Sequence, residues 1–129
     1  MKRVRSLEEK LEFKKKLEER TANFAVAVFR YLDQLPGCVS SRVIAFQLGK
    51  SASSVGANYR EANRAESAED FEHKLGITLK ECSETFYWLE LLQKLYPDSE
   101  CVSETLHECD ELIRIFQSAR SKLYKRNKK

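Results

Sequence analysis

Apolar residues recur at three- and four-residue steps along most of the chain, and the pattern breaks three times. Phe13, Leu17, Phe24, Ala27, Val28 and Tyr31 share one face of a helix predicted over residues 6–34. Leu35-Pro36-Gly37 ends it, because Pro disfavours a helical residue before it and Gly permits the turn. A second helix is predicted over 40–65, capped by Ser40 or Ser41, with Ile44, Leu48, Ser51, Val55, Tyr59 and Ala62 inward. Ser67-Ala68-Glu69-Asp70 resembles a capping box and opens a third helix over 67–96, which Pro97 stops. Its stripe is Phe71, Leu75, Leu79, Cys82, Phe86 and Leu89. Asp98 or Ser99 caps a fourth over 98–124, with Val102, Leu106, Cys109, Ile113, Phe116 and Leu123 inward. From Tyr124 the chain reads as frayed, with a basic tail over 125–129. Four long amphipathic helices with short connections predict an all-α fold, an antiparallel up-down-up-down four-helix bundle, as one domain over 1–129.

The second helix is unusual in being built from small residues from Ser51 to Ala57, before a polar cluster begins at Asn58. Gly49 and Gly56 lie inside it, each at a cost of about 1 kcal/mol relative to Ala. Close approach of neighbouring helices is the expected compensation.

Two helices carry more apolar surface than one buried stripe requires. At 100° per residue, Ile77, Trp88, Leu91 and Leu95 fall on the side of the third helix away from Cys82. Leu11, Val26 and Phe29 fall away from Phe24 on the first. Such a patch marks an interaction surface more readily than scattered hydrophobes do, and a closed symmetric homo-oligomer is the natural form. Ile77, Trp88, Leu91 and Leu95 are therefore the expected interface.

The net charge of +3 is too small to dictate a partner, but its distribution is uneven. Arg42, Lys50, Arg60 and Arg64 line the outer side of the second helix, with Phe46, Ser53 and Ala57 between them. Cations so spaced suit phosphate contacts, against the plainer reading of a solvated face. An oligomer would repeat the stripe, and no acid follows Glu111, so the C-terminal cations add to it. Arg20 falls inside the apolar stripe of the first helix and requires a partner there. Glu61, Glu81 and Glu84, with Asn58, are the expected members of a structural polar network around it, rather than a catalytic group.

Cys38, Cys82, Cys101 and Cys109 show no CxxC spacing and read as small reduced core residues, three of them on apolar stripes. No apolar run approaches the roughly 20 residues that cross a bilayer, and no secretory signal is recognised, so a cytoplasmic location is expected and no membrane partner. Gly49-Lys50-Ser51 mimics the end of a phosphate-binding loop but lies mid-helix, with Ile44 where that loop needs glycine. Glu104 and His107 are a lone Glu-x-x-His pair, and His73 stands alone, so no metal or cofactor site is expected. No nucleophile with a base and an orienting acid stands out, and an enzyme is not expected.

Several stretches carry a resemblance. They are Arg20-Thr21-x-x-Phe24-Ala25-Val26, Gln47-Leu48-x-x-Ser51-Ala52-x-Ser54-Val55-Gly56-Ala57-Asn58-Tyr59-Arg60-Glu61-Ala62, Asp70-Phe71-x-x-Lys74-Leu75-x-Ile77, and Lys80-Glu81-x-x-Glu84-Thr85-x-Tyr87-Trp88-Leu89. Together they closely resemble the bacterial 23S ribosomal RNA intervening-sequence proteins, from Phe13 to Leu92. The resemblance implies a four-helix bundle that assembles as a homopentamer and has no established biochemical activity. A related group, the accessory variability determinants of diversity-generating retroelements, is also pentameric and binds nucleic acid and a reverse transcriptase. Lys50 stands where the family often has arginine, which keeps the charge but loses the planar fork. The expected function is a non-enzymatic oligomer that binds RNA or DNA through basic faces. The alternative is a protein-interaction scaffold, or accessory factor for a polymerase such as a reverse transcriptase, without direct nucleic-acid binding.

Overall fold

The computed structural model describes residues 5–127, and for Tyr124, Arg126 and Asn127 the backbone alone. Four helices follow one another: α1 (Leu7–Leu32), α2 (Val39–Ala62), α3 (Ala68–Leu95) and α4 (Glu100–Asn127), with no strand among the described residues. The ends follow from local chemistry. Ser6 Oγ accepts from the Glu9 amide at 3.2 Å, and Ser67 Oγ accepts from the Asp70 amide at 3.0 Å. Each satisfies an orphan donor beside acids that favour the positive end of the helix dipole. Ser99 Oγ does the same for the Val102 amide in α4, so Ser99 rather than Asp98 caps it.

Two expected boundaries move. α2 starts at Val39, with Cys38 at the N-cap and no side-chain cap. Ser41 is instead buried within 3.4 Å of the Tyr96 hydroxyl, and Arg42 closes the loop by donating to the Gly37 carbonyl at 2.8 Å. α4 does not fray at Tyr124 but continues to Asn127, while Lys128 and Lys129 of the expected tail lie outside the described residues.

Pairs across the helices set their direction. Gly49 lies against Phe29 and Gly56 against Thr21, so α1 and α2 run antiparallel. Thr85 meets Ser51 while Tyr96 meets Ser41, and Cys109 meets Cys82 while Arg120 lies against Gly76, so α2 and α3, and α3 and α4, are antiparallel as well. α1 packs beside α2 and α4, with α3 diagonally opposite, and the α1–α4 contact is the slightest of the four.

One apolar cluster runs through all four helices. Leu48, Val55, Leu75, Leu89, Leu92, Leu112 and Phe116 are fully enclosed in it. Each such side chain contributes about 1.5–3 kcal/mol by leaving water. The Tyr59 and Phe116 rings meet at 5.2 Å with a 52° tilt, joining α2 to α4 across the bundle. The close packing expected at Gly49 and Gly56 is present, and the helix they approach is α1: a β-carbon on Gly56 would stand 3.1 Å from Thr21 Oγ1.

The core is less uniformly apolar than the stripes suggest. Thr21, Ser51, Thr78 and Thr85 are buried. The threonine hydroxyls donate within their own helices, Thr21 to the Glu18 carbonyl, Thr78 to that of Lys74 and Thr85 to that of Glu81, and Thr85 Oγ1 also stands 3.0 Å from Ser51 Oγ. Phe13 stands 40% exposed and Ala27 is exposed, although both were expected inside. Two of the four cysteines, Cys82 and Cys109, are buried and two, Cys38 and Cys101, are exposed. Burial pushes the Cys109 thiol up to about 12 and the Cys82 thiol higher still.

Candidate nucleic-acid interface

The outer face of α2 repeats at heptad steps. Val39, Val43 and Phe46 occupy its first half and are 69%, 51% and 69% exposed. Lys50, Ser53, Ala57 and Arg60 continue the same face, so it changes from apolar to small and cationic midway, and Arg64 follows in the turn just past the helix end. Small side chains at Ser53 and Ala57 leave the backbone low between the cations. Ser53 and Ser54 turn their hydroxyls onto the carbonyls of Gly49 and Lys50, which hides their polarity from the surface.

All four cations expected for phosphate contact are exposed, but they are not equally free. Arg42 is held by the Gly37 carbonyl, at the far end of the face from Arg60 and Arg64. Arg60 Nε lies 3.9 Å from Glu18 Oε1, whose other oxygen accepts from Asn63 Nδ2 at 2.9 Å. Lys50 and Arg64 make no ion pair among the described residues. Lys50 stands near Glu81 of α3, whose carboxyl is pushed up by burial and by Glu84 and drawn back by Lys80 and Lys50.

The polar network expected around Arg20 is different from the one present. Arg20 donates from Nε to Glu108 Oε2 at 2.7 Å and from Nη2 to Glu108 Oε1 at 2.6 Å, with a further bond to Glu111. These carboxylates belong to α4, not to α2 or α3. Glu81 and Glu84 sit on α3, diagonally across from α1, and Glu61 and Glu84 are exposed. Asn58 satisfies itself by donating to the Ser54 carbonyl at 2.8 Å. The two carboxylates raise the Arg20 pKa further, hydrogen bonding with Glu108 being the largest cause. A guanidinium so paired is a strut across the α1–α4 groove, and it offers neither a free acid nor a free base.

Trp88 and Leu91 are half-buried and pack against the core, so the expected interface is not wholly a surface. Ile77 is also half-buried, and only Leu95, at 49%, is well exposed. With Val43 and Ile44 of α2, Trp88, Leu91 and Leu95 line an apolar groove between the start of α2 and the end of α3. Trp88 Nε1 is buried there and has no hydrogen-bond partner among the described residues. Sequence spacing located the α3 half of this groove but missed Val43, whose heptad relation to Phe46 was the available signal. Among the described residues no group of three or more His, Cys, Asp or Glu side chains is placed to hold a metal, and no helix is long and apolar enough to cross a membrane.

These features define an all-α four-helix bundle with a two-part outer face on its small-residue helix. The chain belongs to the 23S rRNA-intervening sequence protein family, which it matches over residues 13–118. The match therefore extends past the motifs in α1–α3 and through most of α4. It is also similar to a protein of unknown function from the S23 ribosomal protein family of Bacteroides thetaiotaomicron. That crystal structure shares 32% identity, covers 80% of this chain and 96% of its own, and superposes with a TM-score of 0.68. No curated protein matches the chain.

Proposed function

We propose that this protein is a non-enzymatic homo-oligomer, a pentamer as the family resemblance implies, that binds RNA or DNA electrostatically through repeated α2 faces. The carrying observation is that Lys50 and Arg60 share one exposed face of α2, that Arg64 stands exposed in the turn just past its end, and that Lys50 and Arg64 make no ion pair among the described residues. Arg42, tied to its loop carbonyl, is the weakest of the four contributors. Binding of this kind is dominated by phosphate and reads sequence poorly.

A gel-shift titration with structured RNA tests the reading. Affinity should fall steeply with salt, with a log–log slope of about −0.9 for each phosphate neutralised on a duplex. Reversing Arg60 and Arg64 to Glu should abolish the shift while leaving particle mass unchanged. Absent binding at low salt, or binding indifferent to salt, would overturn it.

Exposure of Val39, Val43 and Phe46 favours a second reading, in which the bundle is a protein-interaction scaffold or an accessory factor for an enzyme such as a reverse transcriptase. Co-elution with such a purified enzyme after nuclease treatment, lost on Phe46→Glu but retained on Arg64→Glu, would select it.

A further inference from the structure

A separate cavity opens where α1 and α3 begin and α2 and α4 end. It measures about 210 Å³ and is walled by Phe71, Ile115 and Ala119 over a buried floor of Leu17, Leu75 and Phe116. Its interior is almost wholly apolar, and water needs two to four polar partners to occupy such a space. The mouth has a different character. Arg5 lies 4.7 Å above the Phe13 ring and Lys14 Nζ lies 5.5 Å from the Phe71 ring centroid, and both rings line the cavity. Lys10 completes a cationic rim, and none of the three makes an ion pair among the described residues. Leu7 and Leu11, 74% and 57% exposed, extend the apolar wall outward between these charges.

We propose that this cavity binds a short anionic amphiphile, with an alkyl chain inside and a carboxylate or similar anion on the Arg5–Lys10–Lys14 rim. Charge complementarity selects this occupant, because a neutral hydrocarbon would leave the rim unused and a simple anion would leave the wall unused. An apolar cavity of about 150 Å³ holds a six-carbon ring, so this one accommodates a chain of roughly eight carbons. The site is independent of the α2 face.

Octanoate is the probe, titrated into the full chain and followed by methyl NMR. Saturable shifts are expected at Leu17, Leu75 and Ile115. Octanol should bind at least about tenfold more weakly and butyrate not at all. Lys10→Gln with Lys14→Gln should bring octanoate down to the affinity of octanol, and Ala119→Phe should exclude both. The lysines are on the surface, so their variants decide the matter even if the filled cavity fails to fold. Equal affinity for octanoate and octanol, insensitivity to the lysine substitutions, or shifts confined to Leu91 and Leu95 would overturn the proposal. So would the same methyl shifts appearing on concentration of the protein alone, which would make a second copy the occupant.

Discussion

A β-carbon on Gly56 of α2 would come within 3.1 Å of the Thr21 hydroxyl of α1 and 3.6 Å of the Thr21 carbonyl carbon. Thr21 cannot yield easily, since it is fully buried and its hydroxyl already donates to the Glu18 carbonyl at 2.8 Å. Gly56→Val should therefore force the two helices apart and destabilise by about 2 kcal/mol in urea unfolding. Gly37 has open space around it and no left-handed backbone. Gly37→Ala should be neutral or stabilising by less than about 1 kcal/mol. Equal stabilities for the two variants would show that close approach is not the reason for Gly56.

Arg20 joins two carboxylates of α4 across the slightest helix contact in the bundle. All three side chains are about a third exposed or more, so solvent screening limits what the cluster contributes. Arg20→Ala should cost about 1 kcal/mol. Arg20→Lys should restore less than half, because an ammonium cannot make the fork to Glu108. A double-mutant cycle with Glu108→Ala should give a coupling of about 0.5 kcal/mol or more, and a value of zero would show that the pair is decorative.

Cys38 is exposed at the N-cap of α2, and hydrogen bonds from Ser41 and then Ser40 lower its thiol pKa to about 7. Its thiolate is thus half formed near neutral pH, and alkylation should rise as pH passes upward through that value. Timed iodoacetamide labelling read by peptide mass should find Cys38 first and Cys82 and Cys109 only on unfolding, since burial holds those thiols protonated. Ser41→Ala should move the midpoint of the Cys38 profile upward. Labelling of Cys82 at the same rate as Cys38 would contradict the burial described above.

Assembly is tested best at the exposed ends of the α2–α3 groove. Val43 and Leu95 are about half exposed, whereas Trp88 and Leu91 also pack inward. Val43→Glu with Leu95→Glu should lower particle mass in light scattering without loss of helicity. Trp88→Ala should lower thermal stability as well, because it removes core contacts. Unchanged mass in the double variant would place any self-association elsewhere.

The repeat of small and aliphatic residues in α2 was enough to read that helix from the chain alone. Ile44, Leu48, Ser51, Val55, Tyr59 and Ala62 are all buried, and both interior glycines are packed against α1. Caps at Ser67 and Ser99 and the stops before Pro36 and Pro97 were legible for the same reason: they depend on neighbours within a few residues. The threonine seam was not legible, because a hydroxyl that bonds its own helix carbonyl loses its cost of burial only once the helix exists. Nor could spacing say that Arg20 would meet Glu108 and Glu111, or that Trp88 would lean into the core. Those outcomes depend on which helices become neighbours and how far apart they stand. Periodicity along one chain assigns each helix its inward face, whereas the partner across the groove is chosen only when four such faces close on one another.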